Sequence, residues 1–457
     1  METLAFKLAS WASKLKLNDI PATVVDVAKR CIIDVVGVSI AGSQFHVSDT
    51  VRKIAFREYP AGSCTVIGTT NKLSALGASF CNAVAAHCLD FDDTCYDGIV
   101  HGSAAVWPSV LAVGEMVDAS GKEVLTAFIA GVETEYTLGR FFTNHLYMKG
   151  WWNSSVLGVI GAAAGATKLL GFNETQSMNT IQNAACFSFG PRALLGTDLK
   201  PTAMGITSSK GIFSALLARQ GLAGPSDVFE NSRGMINLFN DNVKNEKSLD
   251  HLGKSYSLEN PGIAFKLYPV CSAAQAAAEA LNAILTDYDL KHSDISKVIC
   301  EVPPLVAVSL IYPNPVNVTQ AQFSMPFTLG CILAYGQLRV AQLCEEVLND
   351  TVLNKEMQKV EMIKNDALSA SEHDRTNYPE GAIVTVIKKS GEKIRVFNGA
   401  ATGMPVRPMS DGQLNNKFSS CVETQSTPKH SGKLLKRLRS IETVASINDL
   451  FGSDDTI

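Results

Sequence analysis

Apolar side chains return every three or four residues through most of the first 220 positions. Behind Pro21, the run Val24, Val25, Val27, Ala28, Cys31, Ile32 and Val35 predicts a helix with a buried face, ending near Gly42. The same spacing predicts helices over 73–89, 104–118, 121–139, 153–170, 173–184 and 203–221. Gly171 and Gly221 stand where C-cap glycines stand. Gly161 and Gly165 are four apart, a spacing that lets a neighbouring helix approach closely.

Near residue 265 the pattern changes. Residues 297–303 alternate apolar and polar, which predicts a strand. Helical spacing returns over 322–347 and 353–368, and 303–315 is loop-like. The segments 382–387 and 393–397 flank a turn containing Gly391 and predict a β-hairpin. A Gly/Pro-rich stretch follows, up to Pro408. Ser410 and Gln413 then have the spacing of a capping box, and 432–451 is again helical in pattern. The last six residues are expected to fray.

The 457 residues suggest two or three domains, at about 100–200 residues each. Hydrophobic residues make up 46% and charged residues 18%, which excludes a disordered chain. The net charge of −4 provides no broad basic surface, so nucleic acid is excluded as a partner. The abundance of Gly and Ala favours close helix-on-helix packing. The 11 cysteines contain no C-x-x-C pair, which points to free buried thiols in the cytoplasm or another reducing compartment and away from zinc. The first 17 residues lack the long apolar core of a secretory signal. Residues 150–167 are uncharged but carry Asn153, Ser154 and Ser155, and read as a buried helix rather than a membrane span.

Three segments carry chemistry. The first is His87-Cys88-Leu89-Asp90-Phe91-Asp92-Asp93-Thr94, followed by His101. Crowded carboxylates raise one another's pKa, and an imidazole titrates near neutrality, so a proton donor and acceptor are available. A solvated acidic helix end or a metal loop would use the same residues, although the Gly and Glu of a calcium loop are missing. The second is Asp198-Leu199-Lys200-Pro201, where the proline puts a lysine at a helix start, a place that attracts anions. The third is Phe265-Lys266-Leu267-Tyr268-Pro269-Val270-Cys271-Ser272, again lysine before proline before an Ala-rich helix, at the change of pattern where a pocket between domains is expected. An ordinary surface lysine and an interdomain linker are the plain alternatives for these two. Cys271 has no base near it in sequence to make it a nucleophile. No phosphate-binding, dinucleotide-binding, serine-hydrolase or zinc-protease motif occurs, so no cofactor is implied.

Taken together, D-F-D-D-T with a following histidine, K-P and K-x-Y-P-x-C resemble the MmgE/PrpD family, which includes 2-methylcitrate dehydratase, cis-aconitate decarboxylase and iminodisuccinate epimerase. A fourth segment, Gly403-Met404-Pro405-Val406-Arg407-Pro408-Met409-Ser410 with Leu414, Lys417 and Phe418, is similar to the family's return segment. The resemblance implies a mainly α fold: a large helical domain from 1–266 and 399–457, and a smaller α+β lid from 267–398. It implies a homodimer, a pocket between the domains, no cofactor and a small polycarboxylate substrate; the residues themselves give the expectation of no metal and no membrane. Carried over by motif, Asp90, His101 and Tyr268 are the expected catalytic groups, and Thr94, Lys200, Lys266 and Cys271 the expected substrate-binding groups. Trp152, Met204 and Gln275 stand where the family often has histidine, and Phe327 where it has tyrosine. The implied activity is a cofactor-independent lyase that removes a proton next to a carboxylate. A 2-methylcitrate or alkylcitrate dehydratase comes first. A dicarboxylate epimerase is the alternative, favoured by the missing histidines. A cis-aconitate-type decarboxylase follows, and a non-catalytic carboxylate-binding protein comes last.

Overall fold

From Cys31 onward every residue of the helix Ala22–Gly42 is buried. An amphipathic stripe therefore covers only its first turns. Its second half runs through the interior, between the helices Ala75–His87 and Asp411–Val422. The computed structural model describes residues 2–452, so most of the tail expected to fray lies outside the described residues. The helices Gly102–Val117, Gly121–Phe142, Gly158–Leu169 and Leu199–Arg219 pack around this centre. Their small residues set the approach distance. A Cβ on Gly161 would sit 2.9 Å from the carbonyl oxygen of Gly131, and one on Gly165 would sit 2.6 Å from Val110. No described helix is long and apolar enough to cross a membrane.

Two helical expectations change in detail. The segment 153–170 is two helices, Asn153–Val156 and Gly158–Leu169, joined at Leu157. The helix expected from 203 begins at Leu199, so Lys200 lies within its first turn. Pro201 is tolerated there because first-turn N–H groups have no intrahelical partner.

Beyond residue 290 the chain builds a four-stranded sheet in the order Val360–Lys364, Ile295–Val302, Ala382–Lys388, Lys393–Asn398. The first pair is parallel and the other two are antiparallel. The expected hairpin is present. The expected helix over 353–368 is not: a helix covers only Thr351–Met357, and Val360–Lys364 is a strand in register with Val298–Val302. Backbone pairing with a distant strand overrides the local spacing. The segment 322–347 is likewise broken: Met325–Tyr335 is stopped by Gly336 at φ +68°, and only the short turns Val340–Gln342 and Glu345–Leu348 follow. The helices Met325–Tyr335 and Gln275–Asp287 pack against the sheet.

Besides a smaller group around Val51, Val84 and Ile212, the buried apolar side chains form two large groups. One runs through the first 265 residues and takes in Leu414, Phe418, Leu434 and Leu438 from the returning chain end. The other is centred on Leu281, Val298, Leu329 and Val384 and reaches Leu89 and Phe91. Ser410 caps the returning helix Asp411–Val422 in a capping box with Gln413.

Candidate functional site

The helix Ala75–His87 stops before the acidic segment, and Asp90 turns the chain with φ +48°, a conformation Asp adopts more readily than most residues. Its carboxylate lies between two lysines from distant elements. Lys200 donates to Oδ1. Lys266 lies 3.2 Å from Oδ2 and donates to the Asp90 carbonyl oxygen at 2.5 Å. All three residues are buried. Burial pushes the Asp90 carboxyl up, but Lys200 and Lys266 together hold it well below the usual carboxylate range. Burial also opposes the charge on Lys266, and Asp90 and Asp92 more than restore it. The lysines were expected to await an external anion, yet each already touches Asp90.

Asp92 is the common acceptor of two imidazoles. His87 Nδ1 lies 2.9 Å from it and His101 Nδ1 lies 3.2 Å from it. His101 Nδ1 also lies 2.9 Å from the carbonyl oxygen of Asp93, an acceptor only, so this nitrogen is assigned the proton. Its Nε2 then carries the lone pair in the neutral ring. Burial pulls His87 down to about 4, against the pull of Asp92, so this ring is neutral above that pH. Its Nε2 has no hydrogen-bond partner among the described residues and lies 4.0 Å from Asp90. Trp152 stacks on His87 at 5.4 Å, and the two imidazoles meet edge to face at 4.7 Å. The anticipated rise of one carboxyl in the cluster falls on Asp93. Burial and then Asp34 push it up to about 7, while the Ser103 hydroxyl donates to it at 2.5 Å.

The atoms of His87, Asp92 and His101 lie within 4.8 Å of one another, close enough to consider a metal. The proton on His101 Nδ1 and the two neighbouring ammonium groups fit a hydrogen-bonded triad better than a cation site.

A cavity of about 30 Å³ opens at these residues. Asp90, Thr94, His101, Lys200 and Cys271 line it, together with Trp152 and Glu380. It holds about one or two waters and no polycarboxylate, so a ligand enters only when the walls part. A wider cleft, beside Leu15 and Lys168, shares no residue with it.

Not every expected residue is brought together. Lys266 stands behind Asp90, outside the lining. Tyr268 is turned away from it: its hydroxyl accepts from Asn282 Nδ2 at 2.7 Å, and burial pushes the phenol up. Burial pushes Cys271 up to about 12, which keeps it an inert thiol. Gln275 accepts from the N–H groups of Leu267 and Tyr268 and donates to the carbonyls of Tyr268 and Val270, so it splints the lysine loop. Met204 is core.

Sequence reading named His87 at the head of the acidic segment but gave it no role, and it missed the orienting role of Asp92. It also missed Tyr147, whose hydroxyl lies 3.1 Å from Ser309 at the cavity, and Glu380, 284 positions from its partner Tyr96. No local pattern marks these two.

Residues 7–247 match the MmgE/PrpD N-terminal domain and residues 268–439 the MmgE/PrpD C-terminal domain. A cis-aconitate decarboxylase of Homo sapiens is 27% identical, over 98% of this chain and 95% of its own. A cis-aconitate decarboxylase-like protein of Aspergillus oryzae is 24% identical, over 97% and 95%, and a cis-aconitate decarboxylase of Mus musculus 26%, over 92% and 86%. With both domains matched in order along most of its length, the chain belongs to the MmgE/PrpD family.

Proposed function

We propose that this chain is a cofactor-independent lyase that removes a proton next to a carboxylate of a small polycarboxylate. The observation that carries the reading is the placement of His101: its Nδ1–H is fixed on Asp92 and the Asp93 carbonyl beside a lysine pair. Nε2 of His101 is then the base. Asp90, held ionised by two cations, is a poor base and serves to keep both ammonium groups in place. A substrate carboxylate shares the remaining Lys200 hydrogens, and the charge that builds on it as the proton leaves is stabilised in a site closed to water.

Loss of the substituent on the next carbon completes a lyase reaction. The finer reading is loss of water from a citrate-type hydroxy acid. A second reading, loss of CO2 from a tricarboxylate, in which the C–C electron pair stays on carbon and that pair takes up a proton, is favoured by the names of the relatives. Two separate apolar cores support a division into a helical unit of 1–266 and 399–457 and a lid of 267–398, with the cavity lined from both. The working form is proposed to be a homodimer, which sedimentation tests, in a reducing compartment suited to its free thiols.

The test is incubation with a panel of di- and tricarboxylates in D2O, followed by NMR and mass spectrometry. Deuterium wash-in next to a carboxylate is expected, with a product lighter by water or by CO2. Exchange with no change in mass would make the protein an epimerase. No exchange in wild type, or exchange undiminished in His101→Ala, would refute the reading.

A further inference from the structure

Glu380 is a buried carboxyl with no cation in contact. It is 3% exposed and lies in the cavity wall contributed by the segment after residue 266. Its two oxygens accept from neutral hydroxyls, Tyr96 at 2.6 Å and Ser272 at 2.9 Å. No Lys, Arg or His forms an ion pair with it among the described residues, although Lys266, Asp90 and Cys271 act on it from farther off. A buried carboxylate that lacks a counter-ion is costly, and the cheapest remedy is to keep its proton. Burial is the dominant influence on this group, and it pushes the carboxyl above its ordinary range.

The other proton carriers of the same cavity are poorly suited: burial pushes the Tyr147 phenol up to about 12, and Lys200 is held on Asp90. Tyr268 faces Asn282, Cys271 is an inert thiol, and Nδ1 of His101 is committed to Asp92 and Asp93. The geometry points to Glu380 as the catalytic acid of this site, the group that gives its proton to the departing oxygen of a hydroxy acid. The inference rests on the lyase reading above and names the residue that completes it. His101 Nε2 takes the proton next to the carboxylate, and the C–H electron pair forms the new C=C bond. The C–O bond breaks with its electron pair on oxygen, and the Glu380 proton converts that hydroxide to water. Glu380 is left as a carboxylate beside Tyr96 and Ser272, whose hydroxyls stabilise that charge until solvent returns a proton.

Two measurements test this. The first needs no substrate: an infrared difference spectrum of wild type minus Glu380→Gln at neutral pH. A protonated carboxyl band is expected, and an ionised carboxylate band in its place overturns the acid role alone. The second uses citrate, 2-methylcitrate and malate in D2O. Glu380→Gln is expected to lower product formation about 100- to 1000-fold, the usual weight of a general acid, while deuterium exchange by His101 stays within a few-fold. Glu380→Asp, which keeps the acid, is expected to restore part of the loss. Elimination and exchange falling together, with no rescue by Asp, would assign Glu380 a structural role. Wild-type protein that exchanges no proton in any of the three acids refutes the lyase reading instead, and the infrared band still decides the state of Glu380.

Discussion

Lys417 lies 2.7 Å from Asp34, and both are buried. The same ammonium donates to the carbonyl oxygen of Phe91 at 2.8 Å. The returning chain end therefore holds the residue next to Asp90 through a cation that never meets the cavity. Burial pushes Asp34 up, and Lys417 is the main opposing influence. Lys417→Ala strands a buried carboxylate and is expected to cost about 3–5 kcal/mol in urea unfolding. Lys417→Ala with Asp34→Asn should recover part of that loss. A single-variant cost near zero would show that the pair does not hold the acidic segment.

Asp92→Asn is expected to reduce kcat about 100- to 10,000-fold while the fold persists. An amide in place of the carboxylate turns one imidazole or the other, and loss of the orienting carboxylate has this weight in histidine bases generally. The check is kcat beside Tm. A variant with unchanged kcat would remove Asp92 from the mechanism.

Lys200→Ala and Lys266→Ala are expected to damage both activity and stability. Lysines facing only an absent substrate would be lost without cost to the fold, but here each removal takes a partner from the buried Asp90. A loss of about 3–5 kcal/mol is expected for Lys200→Ala. Adding Asp90→Asn should restore stability and leave activity low, and a double-mutant cycle on Tm and kcat measures both.

Two buried groups oppose each other in the dependence of stability on pH. His87 is held at about 4 in the fold against an ordinary 6.5. Between those values the unfolded chain binds more protons, so stability rises with pH. Asp93 is held at about 7 against 3.8, so over the same range the folded chain binds more protons, and stability falls with pH. Asp93→Asn leaves the His87 contribution unmasked. Its stability is expected to climb from pH 4 to 6.5 by roughly 3 kcal/mol relative to wild type, at 1.36 kcal/mol per pKa unit. Parallel curves for the two proteins would contradict the Asp93 shift.

The legible parts of this chain were those fixed by neighbours in sequence. The helix behind Pro21, the hairpin around Gly391 and the capping box at Ser410 each need only residues a few positions apart. The acidic segment was legible as chemistry for the same reason. What escaped depends on contacts closed by the fold. Val360 becomes a strand residue because Val298 is there to pair with it. Tyr268 faces away because Asn282, one helix onward, takes its hydroxyl. The pairing of Lys200 and Lys266 with one aspartate spans 110 and 176 positions, and no spacing rule reaches so far.

The small size of the cavity has a kinetic consequence. If only a water or two fits until the walls part, the observed rate of ligand capture cannot grow indefinitely with ligand concentration. It levels off at the rate of opening, so stopped-flow traces should show a hyperbolic rather than linear concentration dependence. Variants that loosen the contact of Glu380 with Tyr96 should raise that ceiling, whatever they do to the chemical step.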